Sequence, residues 1–260
     1  MDLEKILEDV KEVAKKAGDV QKKHFRGKNI SMAIKSSEVD LVTKVDKASE
    51  YLIIKELSEK YDFSFLSEEK GKIDNESDYK WIIDPLDGTT NFASGFPIFA
   101  VSIALTKGEE TLLGCVYVPM LDEMYTAIKD KAAYLGDKEL RVGQKAKLNQ
   151  SIIATGFPYD KVENDDNNSK HFAHMVPKVR GLRRAGAAAY DLVNVASGVF
   201  DGFWEINLSK WDIAAGKLII QEAGGIVKDF ENKRGESIIA GNISLVKLLE
   251  KELKEVDKCD

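Results

Sequence analysis

The sequence predicts a mixed α and β (α+β) fold, and three observations carry the prediction. Apolar residues recur at helical spacing near both ends, short apolar runs bounded by polar residues fill the middle, and helical and strand patterns alternate through the second half. With 260 residues, 43% apolar and 32% charged, the chain can bury one large folded unit or two closely packed lobes, and its composition is not that of a disordered chain.

The elements follow in order. Leu3, Ile6, Leu7, Val10, Val13, Ala14 and Ala17 repeat at helical spacing with charges on the other face, which predicts a first helix ending near Phe25-Arg26-Gly27. Residues 32–43 read as an extended pair of short strands or as a mobile loop, and 44–60 as a second helix. The apolar runs 63–66 and 81–83 read as buried strands. A β-rich stretch follows, with strands over 98–105, 112–118 and 123–128 and a turn at 107–110. The second half predicts strands over 152–155, 203–206 and 238–240. Between and after them lie helices over 170–178, 187–197, 211–223 and 243–255. Gly198 closes one of these and Gly224-Gly225 stops another. The polar run 161–170 reads as a mobile loop between the halves.

Composition excludes several function classes. A net charge of −6 gives no general field for nucleic acid or anionic membrane. A small anionic substrate would be repelled too, so an acidic protein that handles phosphate needs local cations, usually bound metal. Cys115, in an apolar run, reads as a small buried hydrophobe, and Cys259 lies in a charged tail; the pair offers no disulfide framework. His24, His171 and His174 read as surface residues, too scattered for a zinc site. The start MDLEKILEDV has no signal-peptide pattern and no apolar run reaches membrane-spanning length, so the expected location is cytoplasmic.

Chemistry concentrates at three places. In Trp81-Ile82-Ile83-Asp84-Pro85-Leu86-Asp87-Gly88-Thr89-Thr90-Asn91-Phe92, an apolar strand runs into two carboxylates three residues apart and then into Gly-Thr-Thr. Pro85 stiffens the turn, Gly88 permits close backbone approach, and Thr89 and Thr90 can begin a helix. Two acids at a strand end followed by free N–H groups offer a place for Mg²⁺ beside a place for phosphate. A tight turn with a capping Asp would explain one acid but not both. Glu68-Glu69 follows the strand at 63–66; alone it would be solvated surface. Asp212, in Trp211-Asp212-Ile213-Ala214-Ala215-Gly216, sits in the first turn of an apolar helix, where a cap would also be found.

Taken together, these motifs resemble the inositol monophosphatase family of metal-dependent, lithium-sensitive phosphatases. The likeness runs the length of the chain: Lys35-Ser36-Ser37, Val39-Asp40-Leu41-Val42-Thr43 and Asp46; Ser67-Glu68-Glu69; 81–92; Gly186-Ala187-Ala188-Ala189; Glu205; 211–216; and Glu222-Ala223-Gly224-Gly225. The resemblance implies a layered αβαβα sandwich of the inositol monophosphatase and fructose-1,6-bisphosphatase type. It implies a single domain over 1–260 with lobes at roughly 1–145 and 146–260, and a homodimer.

By resemblance, Glu68, Asp84, the Leu86 carbonyl, Asp87 and Asp212 would hold two or three Mg²⁺ ions. Thr89 and Asp46, with Glu68, would orient a metal-activated water. The N–H groups of Gly88 and Thr89 would hold phosphate. Asp87, Gly186, Ala187, Ala188, Glu205 and Asp212 would meet the substrate, a small phosphorylated polyol. Asp40 belongs to the early loop, and Lys35 reads either as electrostatic support for the metals or as a surface lysine. Arg183 and Arg184 read either as partners for a second phosphate or as interface residues. The implied activity is hydrolysis of a phosphate monoester, most simply myo-inositol 1-phosphate. Relatives with the same metal chemistry act on fructose 1,6-bisphosphate, 3′-phosphoadenosine 5′-phosphate or histidinol phosphate. Thr90, where the nucleotide branch carries Lys, favours the inositol and sugar side. A non-catalytic regulatory protein is the reading from another class, and the complete acid set argues against it.

Overall fold

The computed structural model describes residues 1–26, 32–34, 41–230 and 235–257. Its elements are α1 (Leu3–His24), β1 (Met32–Ile34), β2 (Leu41–Thr43), α2 (Lys44–Ser58), β3 (Ser64–Ser67), β4 (Gly71–Ile73), β5 (Tyr79–Asp87), α3 (Thr89–Ser94), β6 (Ala100–Lys107), β7 (Glu110–Val118) and β8 (Glu123–Ile128). They continue with β9 (Ala133–Leu135), β10 (Lys138–Glu139), β11 (Ile152–Thr155), α4 (Ser169–Met175), β12 (Gly181–Arg183), α5 (Ala188–Ala196), β13 (Gly202–Leu208), α6 (Lys210–Glu222), β14 (Ile226–Asp229), β15 (Glu236–Gly241) and α7 (Ile243–Asp257). The mixed α and β class read from the sequence holds. The strands it missed, β4, β9, β10, β12 and β14, are short, and four of them lack an apolar run.

β1 and β2 pair antiparallel, Ala33 opposite Val42. The larger sheet has eight strands in the order β10-β9-β8-β7-β6-β5-β3-β4, and the smaller has five in the order β12-β11-β13-β15-β14. Strand alternation explains the layering. In β5, Trp81 and Ile83 face α1 and α2, packing with Val10, Val13, Ile53 and Leu57. Ile82, between them, faces the opposite way, into a core shared with α5, α6 and the inner face of the five-stranded sheet. The outer face of that sheet, through Trp204, Ile206 and Ile239, packs on α4 and α7. The order is therefore helix, sheet, helix, sheet, helix, and strands buried on both faces read as continuous apolar runs.

Two readings change. The run at 161–170 ends in an anchor: Asn168 is buried, its Nδ2 donates to Thr155 Oγ1 at 2.9 Å, and its Oδ1 accepts from Trp204 Nε1 at 2.8 Å. His171 is buried rather than on the surface, with Nε2 2.8 Å from Asp257 Oδ1, because α4 packs against α7. Cys115 is fully buried, as its apolar run implies. No described helix is long and apolar enough to cross a membrane.

Candidate active site

β3 and β5 run parallel with Ser67 opposite Ile83, so their C-terminal ends lie side by side. Glu68 thus follows one strand beside the point where Asp84 leaves the other, and the Glu68 N–H donates to the Ile83 carbonyl at 3.3 Å. Residues three apart on a regular strand point to opposite faces. Between Asp84 and Asp87, β5 shifts register against β6: Asp84 opposes Ser102 and Asp87 opposes Ala100, an extra residue on the β5 side. The bulge, at Pro85-Leu86, brings both acids to one cleft. Gln21 of α1 holds it, donating through Nε2 to the Pro85 carbonyl at 2.7 Å.

Gly88 follows with φ +90, where a side chain would be strained and its Cβ would lie 3.1 Å from the Ile98 carbonyl oxygen. Thr89 opens α3. Its Oγ1 lies 3.1 Å from the Leu86 carbonyl oxygen and 3.4 Å from Asp46 Oδ2, with one proton to donate. Asn91 ties this corner to the second half of the chain, donating to the carbonyls of Ile98 at 2.7 Å and Ala185 at 2.8 Å.

Across the cleft, both carboxylate oxygens of Asp87 accept backbone N–H groups from the start of α5, Ala188 at 3.1 Å and Ala189 at 2.8 Å. Asp212, in the first turn of α6, accepts the Ser209 N–H at 2.7 Å, half of a capping box. So Asp212 is a cap, as its position suggested, and also faces the acids. Glu68, Asp84, Leu86, Asp87, Thr89 and Asp212 line one pocket. Glu205 of β13 lines it too and continues into an adjoining pocket with Gly186, Ala187 and Ala188. The fold therefore brings all of these expected site residues together, with Asp46 fully buried behind Thr89. Lys35 and Asp40 lie outside the described residues.

The electrostatics identify what the cleft lacks. Burial first, then the charges of Glu68, Asp87, Asp212 and Asp46, push the Asp84 carboxyl well above the usual range. Burial pushes Asp87 up to about 7, opposed by the three N–H donors from Ala189, Ala188 and Tyr190. Burial pushes Asp212 and Glu205 each to about 8, with Asp87 and Glu68 adding to Asp212, and Asp212 adding to Glu205. No lysine or arginine lines the acid pocket among the described residues. Carboxylates gathered this way without a cation fit a hard divalent ion, which prefers an all-oxygen donor set. Asp46, Glu68 and Glu69 each also offer a carboxylate oxygen within 4.8 Å of the others, so Glu69 joins the donor set where the sequence offered it only as a neighbour.

The topology is shared with known proteins. The profile of the inositol monophosphatase family matches residues 2–258. The chain belongs to the inositol monophosphatase family. It is 41% identical over 246 residues to the fructose-1,6-bisphosphatase/inositol-1-monophosphatase of Aquifex aeolicus, covering 94% of this chain and 93% of that one. It is 42% identical over 233 residues to the Nus factor SuhB of Haemophilus influenzae, covering 88% and 86%. The structure of the inositol monophosphatase from Anabaena superposes with a TM-score of 0.87 at 33% identity, covering 98% of this chain and 97% of that one.

Inositol monophosphatases are Mg²⁺-dependent phosphatases, and the acid cluster here has the groups to hold such a metal. Several members of this site escape a sequence reading. Glu50 of α2, buried at 1% exposure, accepts through Oε1 the Ser67 hydroxyl, the Glu69 N–H at 3.1 Å and the Lys70 N–H at 2.9 Å. It thereby fixes the turn that carries Glu68. Its only sequence signal was a charge on the helix flank that should have been buried. Tyr159 lines both pockets. The residue as a whole is exposed, but the protein crowded around its hydroxyl, and then the acids Glu68, Asp212, Asp87 and Asp84, push its phenol up. Both Arg183 and Arg184 are exposed; Arg184 lines the pocket with Glu205, whereas Arg183 turns back to the Leu182 carbonyl.

Proposed function

We propose that the chain hydrolyses a small phosphate monoester of a polyol, most simply myo-inositol 1-phosphate to inositol and phosphate, using two or three Mg²⁺ ions. The observation that carries this reading is the cluster of acids with no lysine or arginine lining it among the described residues, opening directly into a second pocket around Glu205. Glu68, Asp84, Asp87, Asp212 and the Leu86 carbonyl would hold the metals, with Glu69 and Asp46 adjoining. When bound, magnesium supplies Lewis-acid polarisation of the phosphoryl group and makes water acidic enough to attack near neutral pH.

The remaining steps belong to side chains and backbone. The N–H groups of Gly88 and Thr89 stand at the opening of α3 and would be suited to phosphate oxygens. Thr89, within reach of both the Leu86 carbonyl and Asp46, accepts a hydrogen bond from the attacking water and passes its own to Asp46. Asp46 lies fully buried, so its position is fixed. Glu205, with Gly186, Ala187 and Ala188, receives the hydroxyls of the alcohol. No cysteine or histidine lines either pocket among the described residues, in keeping with direct attack by water. We also take the protein to work as a homodimer of single-domain, two-lobed subunits, as the family resemblance implies.

The relative named fructose-1,6-bisphosphatase/inositol-1-monophosphatase keeps a sugar bisphosphate as the alternative substrate, and Arg184 in the second pocket is the group that would favour it. A regulatory role, favoured by the relative named Nus factor SuhB, would not by itself require the buried acids. Phosphate release from a panel of inositol, hexose and nucleotide phosphates, with Mg²⁺ and with EDTA, tests the proposal. Metal-dependent release, fastest with a polyol monophosphate, is expected; no release from any ester would overturn it.

A further inference from the structure

One buried acid in the second pocket has no part in the mechanism above. Asp191 lies in the first turn of α5 at 1% exposure, and its Oδ1 has no hydrogen-bond partner among the described residues. A helix cap would account for an acid there, but a cap must accept a backbone N–H. The Ala188 and Ala189 N–H groups at this helix start donate to Asp87 instead. An ion pair would account for it as well, yet Arg184 acts on Asp191 only as a nearby charge, and no salt bridge joins the two. An acceptor buried without a donor is unfavourable unless a ligand satisfies it.

The surroundings indicate the ligand. Asp191 lines the pocket with Glu205, Arg184, Gly186 and Tyr159, and the same pocket reaches Asp87 and Asp212. Gly156 closes it so tightly that a Cβ there would lie 2.0 Å from Glu205 Oε1. Two carboxyl acceptors and one guanidinium donor suit neighbouring hydroxyls, because each hydroxyl both donates and accepts. An ammonium would be opposed by Arg184, and a hydrocarbon or aryl group would leave all three groups without partners.

We propose that Asp191 is a specificity-determining residue that accepts a hydrogen bond from a hydroxyl of the substrate's alcohol portion, selecting phosphate esters of polyols over esters that lack further hydroxyls. This rests on the phosphatase reading given above. Asp191 works with Glu205, which takes an adjacent hydroxyl, while Arg184 donates to the oxygens of both. The Asp191 interaction adds affinity for a polyol and none for an aryl ester, so it acts on KM more than on kcat.

The test compares unaltered protein with Asp191→Asn and Asp191→Ala, at saturating Mg²⁺. The substrates are myo-inositol 1-phosphate and p-nitrophenyl phosphate, with thermal unfolding followed alongside. The ratio of the two kcat/KM values should fall about ten- to a hundredfold in Asp191→Ala, mainly through KM of the polyol ester. Asp191→Asn keeps one acceptor oxygen and should fall between, and it carries the test if the alanine variant does not fold. An unchanged ratio, or equal losses on both esters, would mean that Asp191 only supports the fold and would overturn the inference while leaving the phosphatase reading intact. Failure of the unaltered protein to hydrolyse either ester would remove both.

Discussion

Replacing Glu50 should weaken metal-dependent turnover without touching any residue that faces the cleft. Glu50 Oε1 takes three donors from the turn after β3, and the two backbone N–H groups lie at 3.1 and 2.9 Å. A hydrogen bond to a charged acceptor contributes about 1.5–3 kcal/mol. Glu69 is only half-buried and Lys70 is exposed, so water can reach their N–H groups once the side chain is gone. The low end of the range then applies to these two bonds, and their loss in Glu50→Ala should cost about 3 kcal/mol. That is below the ~5–15 kcal/mol of a typical domain, so the protein still folds. The cost falls on the turn that carries Glu68, which must be re-ordered whenever metal binds. If about 1.4 kcal/mol of it reaches the site, the Mg²⁺ concentration for half-maximal activity rises tenfold. Glu50→Gln can leave its carbonyl oxygen where Oε1 stands and keep all three donors, so it should lose about 1 kcal/mol and little metal affinity. Initial rate against Mg²⁺ for the three proteins, with thermal unfolding in EDTA, measures both effects. An alanine variant that half-saturates where the unaltered protein does, or a glutamine variant no better than alanine, would refute the reasoning.

Asp87→Asn should abolish turnover, and in Mg²⁺ it should also lower stability by about 2 kcal/mol, because an amide sets one N–H donor against the Ala188 or Ala189 N–H; near-normal turnover at saturating Mg²⁺ would contradict the site. Gly156→Ala should drive Glu205 from its place, since the new Cβ would stand 2.0 Å from Oε1, and raise KM for a polyol ester about tenfold or more; steady-state kinetics with unchanged KM would show that the loop simply yields. Metal removal should act with pH in a defined direction. Folded Asp87 titrates at about 7 and Asp212 at about 8, both above their ordinary 3.8. The fold therefore prefers these acids protonated, and the stability this confers is full below about 4 and lost as pH rises through 7 to 8. In EDTA the melting temperature should fall from pH 6 to pH 9, and Mg²⁺ should restore it more at pH 9 than at pH 6. A melting temperature independent of pH in EDTA would count against the clustering of these acids.

Local order along the chain was already determined by the sequence. The spacing from Leu3 to Ala17 gives α1, the run at 81–83 gives the centre of β5, and Asp84 and Asp87 announce themselves at the strand end. These are legible because their causes lie within one or two turns of chain: apolar periodicity, a proline, a glycine at positive φ. The short edge strands left no such trace, because β10 and β12 exist only where a neighbouring strand offers its backbone. The same distinction runs through the site. That Glu68 stands beside Asp84 depends on β3 and β5 pairing in parallel, and that both Asp84 and Asp87 face one cleft depends on a bulge defined against β6. The donors to Asp87 are about a hundred residues away, Gly156 abuts Glu205 across two strands, and Glu50 reaches its turn from a neighbouring helix. Burial of Glu50, Asp191 and His171 was likewise invisible, since a charged side chain has the same pattern on a solvated face as in a packed one. Only the tertiary structure decides which charges lose their water, because that depends on which distant segment comes to cover them.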